Sequence, residues 1–177
     1  MVHQYVAGTP QEGVELIELW DIGGSSVHRE TSAVFLDDHV HGVIFVHDLT
    51  NARSEQNLAN WKDLFYRSQK VNSGLSRLSI SDSQASFCDL EHLGSVPTLV
   101  IGSQADMVLP KMRDHGRASQ LPFLKKYDCL YLDCRKEIQA GSTTKLIFSK
   151  FFDAVIDKSR SNAEDKSAFG SARRRRL

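Results

Sequence analysis

Two short runs, Gly42 to His47 (GVIFVH) and Pro97 to Gly102 (PTLVIG), are almost unbroken blocks of β-branched, aromatic and aliphatic residues. A strand wetted on one face alternates apolar and polar side chains. An unbroken run of this length instead suits a strand covered on both faces, as in a parallel sheet. Leu130 to Leu132 gives a shorter run of the same kind, and Val14 to Trp20 (VELIELW) reads as a strand ending at Asp21-Ile22-Gly23-Gly24. Helical spacing lies between and after these runs. Leu58, Trp61, Leu64 and Phe65 recur after Ser54, and Ile147, Phe148, Phe151, Phe152, Val155 and Ile156 form a second apolar face. Leu109-Pro110 can open a further helix, since proline suits a first turn. Strands alternating with helices predict an α/β fold: a doubly wound, mostly parallel sheet with helices on both faces.

The 177 residues, 41% of them hydrophobic, suffice for one core. Lys plus Arg and Asp plus Glu number 22 each, so the formal net charge is zero, which argues against a nucleic-acid coat. The charge is uneven: residues 159–177 carry six basic and two acidic side chains and end in Arg173–Arg176. The expected organisation is therefore a domain over 1–158, with a long polar insertion loop at 68–95, and a basic, solvated tail over 159–177. No run approaches a membrane span, no cysteine follows Cys134 to carry a prenyl anchor, and three cysteines without zinc-type spacing suggest reduced thiols. A cytoplasmic protein without a stable membrane anchor is expected. His39, His41 and His47 read as the lead-in to a buried strand and its end rather than as metal ligands.

In an open parallel sheet, ligands bind beyond the carboxyl ends of the strands. Those ends read Trp20-Asp21-Ile22-Gly23-Gly24, His47-Asp48-Leu49-Thr50-Asn51, Gly102-Ser103-Gln104-Ala105-Asp106 and Asp133-Cys134-Arg135-Lys136. Singly, each is an ordinary turn or helix cap. In order, they resemble the small GTPases of the Ras superfamily. WDIGG is similar to the W-D-x-x-G motif, VHDLTN with Trp61 to the Y-D-x-T-N…W segment of Rab proteins, GSQAD to the guanine-reading [NT]-K-x-D motif, and DCRK to S-A-K. The wording, with AGSTTKLIFSKFFDAVIDK, is closest to the Rab-like protein 3 subfamily, and the likeness runs from about Val2 to Lys158.

The resemblance implies a GTP/GDP switch with magnesium. Asp21 would reach the metal through a water, Gly24 would offer its amide to the γ-phosphate, and Asp106 would accept two hydrogen bonds from the guanine edge. Gln104 stands at the lysine position of that motif, and the loop of Cys134, Arg135 and Lys136 would close over the base. It also implies partners among the regulators or effectors of small GTPases. No G-x-x-x-x-G-K-[ST] string occurs in the 177 residues, and Val2-His3-Gln4-Tyr5 resembles the latter part of the family's second strand. Relative to the family, the chain is expected to be N-terminally truncated. It lacks the first strand, the phosphate loop, the first helix and the first switch loop. Ser25 replaces the glutamine that would orient the attacking water. Two functional expectations follow. The family's switch activity belongs to a longer form, while this chain binds nucleotide weakly or not at all and does not hydrolyse GTP. Alternatively, it acts as a nucleotide-independent interaction module or decoy, with self-association beside the missing strand.

Overall fold

The computed structural model describes residues 1–25, 36, 40–72, 96–108 and 121–173. Strand β1 (Val2–Tyr5) pairs antiparallel with β2 (Gly13–Leu16), with Val2 opposite Leu16 and Tyr5 opposite Gly13. Strands β3 (Val43–Asp48), β4 (Thr98–Ser103) and β5 (Asp128–Tyr131) form a parallel sheet in the order β3-β4-β5. Helix α1 (Ala52–Asn72) follows β3, a 3-10 turn (Pro122–Lys126) precedes β5, and helix α2 (Thr143–Arg173) closes the described chain.

The apolar runs sort onto two faces of the three-stranded sheet. Leu99, Ile101 and Leu130 turn towards α2 and pack with Phe151, Phe152 and Ile156, and Ile44 joins them from β3. The alternate residues Phe45 and Val100 turn the other way, onto Leu58 of α1 and Leu124 of the 3-10 turn. Helices thus cover both faces, the doubly wound arrangement expected from the sequence. Leu99 and Val100 are the most deeply buried large side chains, as a central strand requires.

Both helices begin where side chains satisfy their first amides. The Asn51 side-chain oxygen accepts the Arg53 amide at 3.1 Å, and Ser142 Oγ accepts the Lys145 amide at 3.2 Å. Gly42 lets α2 lie close to the sheet: a Cβ there would stand 2.4 Å from Val155 Cγ2 and 3.3 Å from Phe151 Cζ.

The β1–β2 hairpin docks on the same helix. His3 Nε2 lies 2.8 Å from Asp153 Oδ1, which also accepts the Val6 amide at 3.1 Å. Tyr5 donates its hydroxyl to Asp157, and Arg160 pairs with Glu15 while stacking over the Tyr5 ring. Ile17 enters the α2 core. The opposite face of the hairpin carries Val2, Val14 and Leu16, all exposed.

Three boundaries differ from the sequence reading. The strand read over Val14 to Trp20 ends at Leu16, and beyond it Ile17 still exchanges backbone bonds with Met1 at 2.8 and 2.6 Å. Residues 68–72, read as the start of the loop, complete α1, whereas 73–95 lie outside the described residues. Helix α2 continues past Lys158 to Arg173, into the stretch read as a tail. No proline interrupts it, and each added residue contributes one further backbone bond. The helix read at Leu109-Pro110, His39 and Arg174–Arg176 lie outside the described residues.

Candidate functional site

The carboxyl ends of β3, β4 and β5 converge. Gly102 allows it: a Cβ on this residue would stand 2.6 Å from Leu49 Cδ2 and 3.0 Å from Tyr131 Cδ1, so the segments leaving β3 and β5 close over the end of β4. The Leu132 amide donates to Gly102 O at 2.8 Å, and one turn on the Ala105 amide donates back to Leu132 O at 3.0 Å. Ser103 Oγ donates to His47 O at 3.0 Å. These bonds tie the loop after β4 to those on either side.

Gln104 takes a left-handed backbone conformation, φ +58°, and its carbonyl accepts the Met107 amide at 3.0 Å. That tight turn sets Asp106 towards the loop after β5. Arg135 Nη2 lies 2.8 Å from Asp106 Oδ2, and Arg135 Nε lies 3.1 Å from Asp133 Oδ1. Lys136 Nζ meets Asp133 from the other side at 3.3 Å. Asp133 also accepts the Arg135 amide at 3.2 Å, an Asx turn that bends the chain at the end of β5. Hydrogen bonding from Arg135, reinforced by Lys136, holds the Asp133 carboxyl down at about 2. Asp48 uses the same device after β3. The Thr50 amide and hydroxyl both donate to its Oδ1 at 2.7 Å, and these bonds, with a further one from Gln104, lower its pKa.

Of the residues expected to form the site, Gln104, Asp106, Arg135 and Lys136 come together, and Cys134 lies exposed within the same loop. Asp21 and Gly24 lie exposed beyond the hairpin, and among the described residues no hydrogen bond or ion pair joins them to these loops. Asp133 was not among the expected site residues, although it organises the loop. Its signal was present in the sequence: a strand-end aspartate followed at two and three residues by Arg and Lys.

A cavity of about 170 Å³ lies beside these loops on the α1 side, lined by His47, Asp48, Glu55, Leu124, Cys129 and Tyr131 among others. His47 and Glu55 are buried. Burial pushes the Cys129 thiol up, and the same cause raises Tyr131, so both stay protonated near neutrality. Among the described residues, no group of three His, Cys, Asp or Glu side chains could hold a metal ion, and no helix is long and apolar enough to cross a membrane.

No protein-family model matches the chain. Individual relatives do. Human Rab-like protein 3 is 38% identical over 166 residues, covering 89% of this chain and 68% of its own length. The chain belongs to the Rab-like protein 3 family of small GTPases. The Danio rerio Rab-like protein 3 is 35% identical over the same share of the chain and 69% of its own length. More distantly, the small GTPase-like protein LIP2 of Arabidopsis thaliana is 30% identical over 91 residues, 51% of this chain and 24% of that protein. The family binds GTP or GDP with magnesium. Asp106, in the loop after β4, meets Arg135 from the loop after β5.

Proposed function

We propose that this chain is a cytoplasmic, Rab-like regulatory protein that works through regulators or effectors of small GTPases, and that these 177 residues bind GTP or GDP weakly. One observation carries the reading. The guanine-reading carboxylate, Asp106, is already paired with Arg135 at 2.8 Å, and the two base loops are held together by the chain's own bonds. The residues fit a base: Asp106 is an acceptor only 17% exposed that meets Arg135, while Gln104, Cys134 and Lys136 stand in the two loops that carry this pair. They fit magnesium poorly. Asp21 offers one exposed carboxylate, whereas this ion is held by carboxylates together with substrate phosphates in an octahedral shell. The 177 residues contain no phosphate-loop string to hold those phosphates, and Gly24 alone offers one amide.

Equilibrium titration of the 177-residue chain with fluorescent GDP, with and without magnesium, tests the reading. Weak binding that magnesium leaves unchanged is expected. Tight, magnesium-dependent binding would refute it.

A second reading, a nucleotide-independent interaction module or decoy, draws on a different feature. Val2, Val14 and Leu16 form one exposed apolar face of the hairpin, and Leu19 and Trp20, further along the chain, are exposed too. Isolated exposed apolar residues are ordinary, but a contiguous set on one face marks an interaction surface. Sedimentation velocity of the chain and of Leu16→Asp, over a range of concentrations, tests self-association through it. Concentration-dependent dimerisation abolished by the substitution is expected, and an unchanged monomer in both would remove that form of the reading.

A further inference from the structure

Arg135 occupies the place where a base ligand's donors would meet the site. Its side chain is 72% exposed, yet its tip is gripped by two carboxylates that are themselves only 17% and 12% exposed, Asp106 and Asp133. The fork of Nε and Nη2 lies on Asp133, at 3.1 and 3.5 Å, and Asp106 receives a single N–H, from Nη2 at 2.8 Å. A guanidinium presents that fork, with its donors fixed in one plane. The pairing edge of guanine presents the same pattern, a ring N–H beside an exocyclic amine, and adenine presents an acceptor where guanine has the ring N–H. The two groups therefore compete for one carboxylate.

We propose that Arg135 is an internal occupant of the base site, standing in for guanine on Asp106, so that its displacement sets how tightly and how selectively this chain takes a guanine base. The inference rests on the reading of Asp106 as the base-reading carboxylate and adds the residue that controls it. Displacement is local. The Arg135 backbone amide keeps its bond to Asp133 when the side chain swings off Asp106. Lys136 continues to pair with Asp133, so the loop after β5 holds its shape. Asp106 stays aimed into the site because the turn at Gln104 and the Ala105–Leu132 bond do not involve Arg135. The site thus opens by swinging one exposed side chain, with no change in either loop's backbone.

The test uses the full 177-residue chain and weak ligands, followed by NMR at the amides of Ala105 and Asp106 during titration with guanosine 5′-monophosphate, and with adenosine 5′-monophosphate for comparison. Arg135→Ala is expected to bind the guanosine nucleotide roughly fivefold more tightly than the wild type, the factor that corresponds to losing a partly screened ion pair. The adenosine nucleotide should not gain. Arg135→Lys should fall between the two, since an ammonium is a point donor without the planar fork. Asp106→Asn in the Arg135→Ala background should erase the preference for guanine. Equal guanosine affinities in wild type and Arg135→Ala, with the preference still dependent on Asp106, would overturn the proposal and leave the base reading standing. Weaker binding by Arg135→Ala would also overturn it, because Arg135 would then be assisting the ligand. Absence of guanine-specific shifts in every variant would overturn the proposal together with the base reading. Arg135→Lys, which keeps the charge beside both carboxylates, carries the test if Arg135→Ala perturbs amides remote from the site.

Discussion

Replacing Asp153 by alanine should release the β1–β2 hairpin from α2 while the parallel sheet stays folded. Asp153 Oδ1 receives two hairpin groups, His3 Nε2 at 2.8 Å and the Val6 amide at 3.1 Å. His3 is only 7% exposed and lies against the Phe152 ring, so removing its partner leaves a polar nitrogen in a nearly dry contact. That costs about 1–3 kcal/mol, and the Val6 hydrogen bond adds about 1 kcal/mol. Val6 also holds a φ of 44°, unfavourable for a β-branched residue, and the bond to Asp153 helps keep it there. The total is about 2–4 kcal/mol, or roughly 30- to 700-fold in the equilibrium for hairpin opening, at about 1.4 kcal/mol per factor of ten. The remaining polar ties, Tyr5 to Asp157 and Glu15 to Arg160, are exposed and contribute little. Native-state hydrogen exchange reads the effect directly. The β1 and β2 amides should exchange faster by that factor in Asp153→Ala, with the β4 amides around Leu99 and Val100 unchanged. Asp153→Asn keeps an acceptor oxygen and should retain most of the protection. Equal acceleration in β1 and β4, or none in either, would refute the assignment of Asp153 as the local anchor.

Other substitutions probe the core and the loops. Gly42→Ala would place a Cβ 2.4 Å from Val155 Cγ2, so overpacking of about 1–3 kcal/mol should lower the urea midpoint, and an unchanged midpoint would contradict the close approach of α2. Leu99→Ala, at a fully buried position between the two helical layers, should lower the unfolding free energy by about 2–5 kcal/mol in the same assay. The Asp133 carboxyl is held at about 2, below its ordinary 3.8, so the stability it confers is present above about pH 4 and is lost as pH falls through about 2. Wild type should therefore lose stability in that window relative to Asp133→Asn, and parallel acid denaturation curves would argue against the Arg135 and Lys136 contacts. Cys129 is exposed at the surface, but partial desolvation raises its thiol, so iodoacetamide should modify it at pH 7.5 more slowly than it modifies an unperturbed peptide thiol, as peptide mass spectrometry would record.

The parallel strands were legible through apolar runs such as GVIFVH and PTLVIG, although only β4 is buried on both faces and Val46 of β3 stays exposed. The helix faces were legible for the matching reason: Leu58, Leu64 and Phe65 on α1, and Phe151, Phe152 and Ile156 on α2, recur with the helical period and are all buried. The hairpin was half legible. Its alternation showed in Val14, Leu16 and Ile17, but where the strand stops depends on its partner, and pairing is not written in the periodicity of one strand. The docking of His3 on Asp153 joins residues 150 positions apart, and a lone histidine near the start of a chain gives no local sign of it. At the candidate site, the motifs named Asp106, Arg135 and Lys136, while the direct pairing of Asp106 with Arg135 depends on the left-handed turn at Gln104, a residue type that seldom adopts it.

The strand-end aspartates divide by what satisfies them, and that division identifies the carboxylate available to a ligand. Asp48 accepts the amide of the residue two positions on, Thr50, and Asp133 does the same with Arg135. Each therefore builds the turn that takes the chain off its strand, and a ligand would have to share either carboxylate with that turn. Asp106 is placed differently. Its turn is made upstream, by Gln104 and the Met107 amide, and its carboxylate meets a side chain from a different loop. That partner, Arg135, is exposed along its stem and anchored elsewhere through Asp133. Freeing Asp106 thus breaks one side-chain contact and no backbone bond, whereas freeing Asp48 or Asp133 breaks the bonds that shape the site. A ligand seeking an acceptor among these loops would meet the least resistance at Asp106.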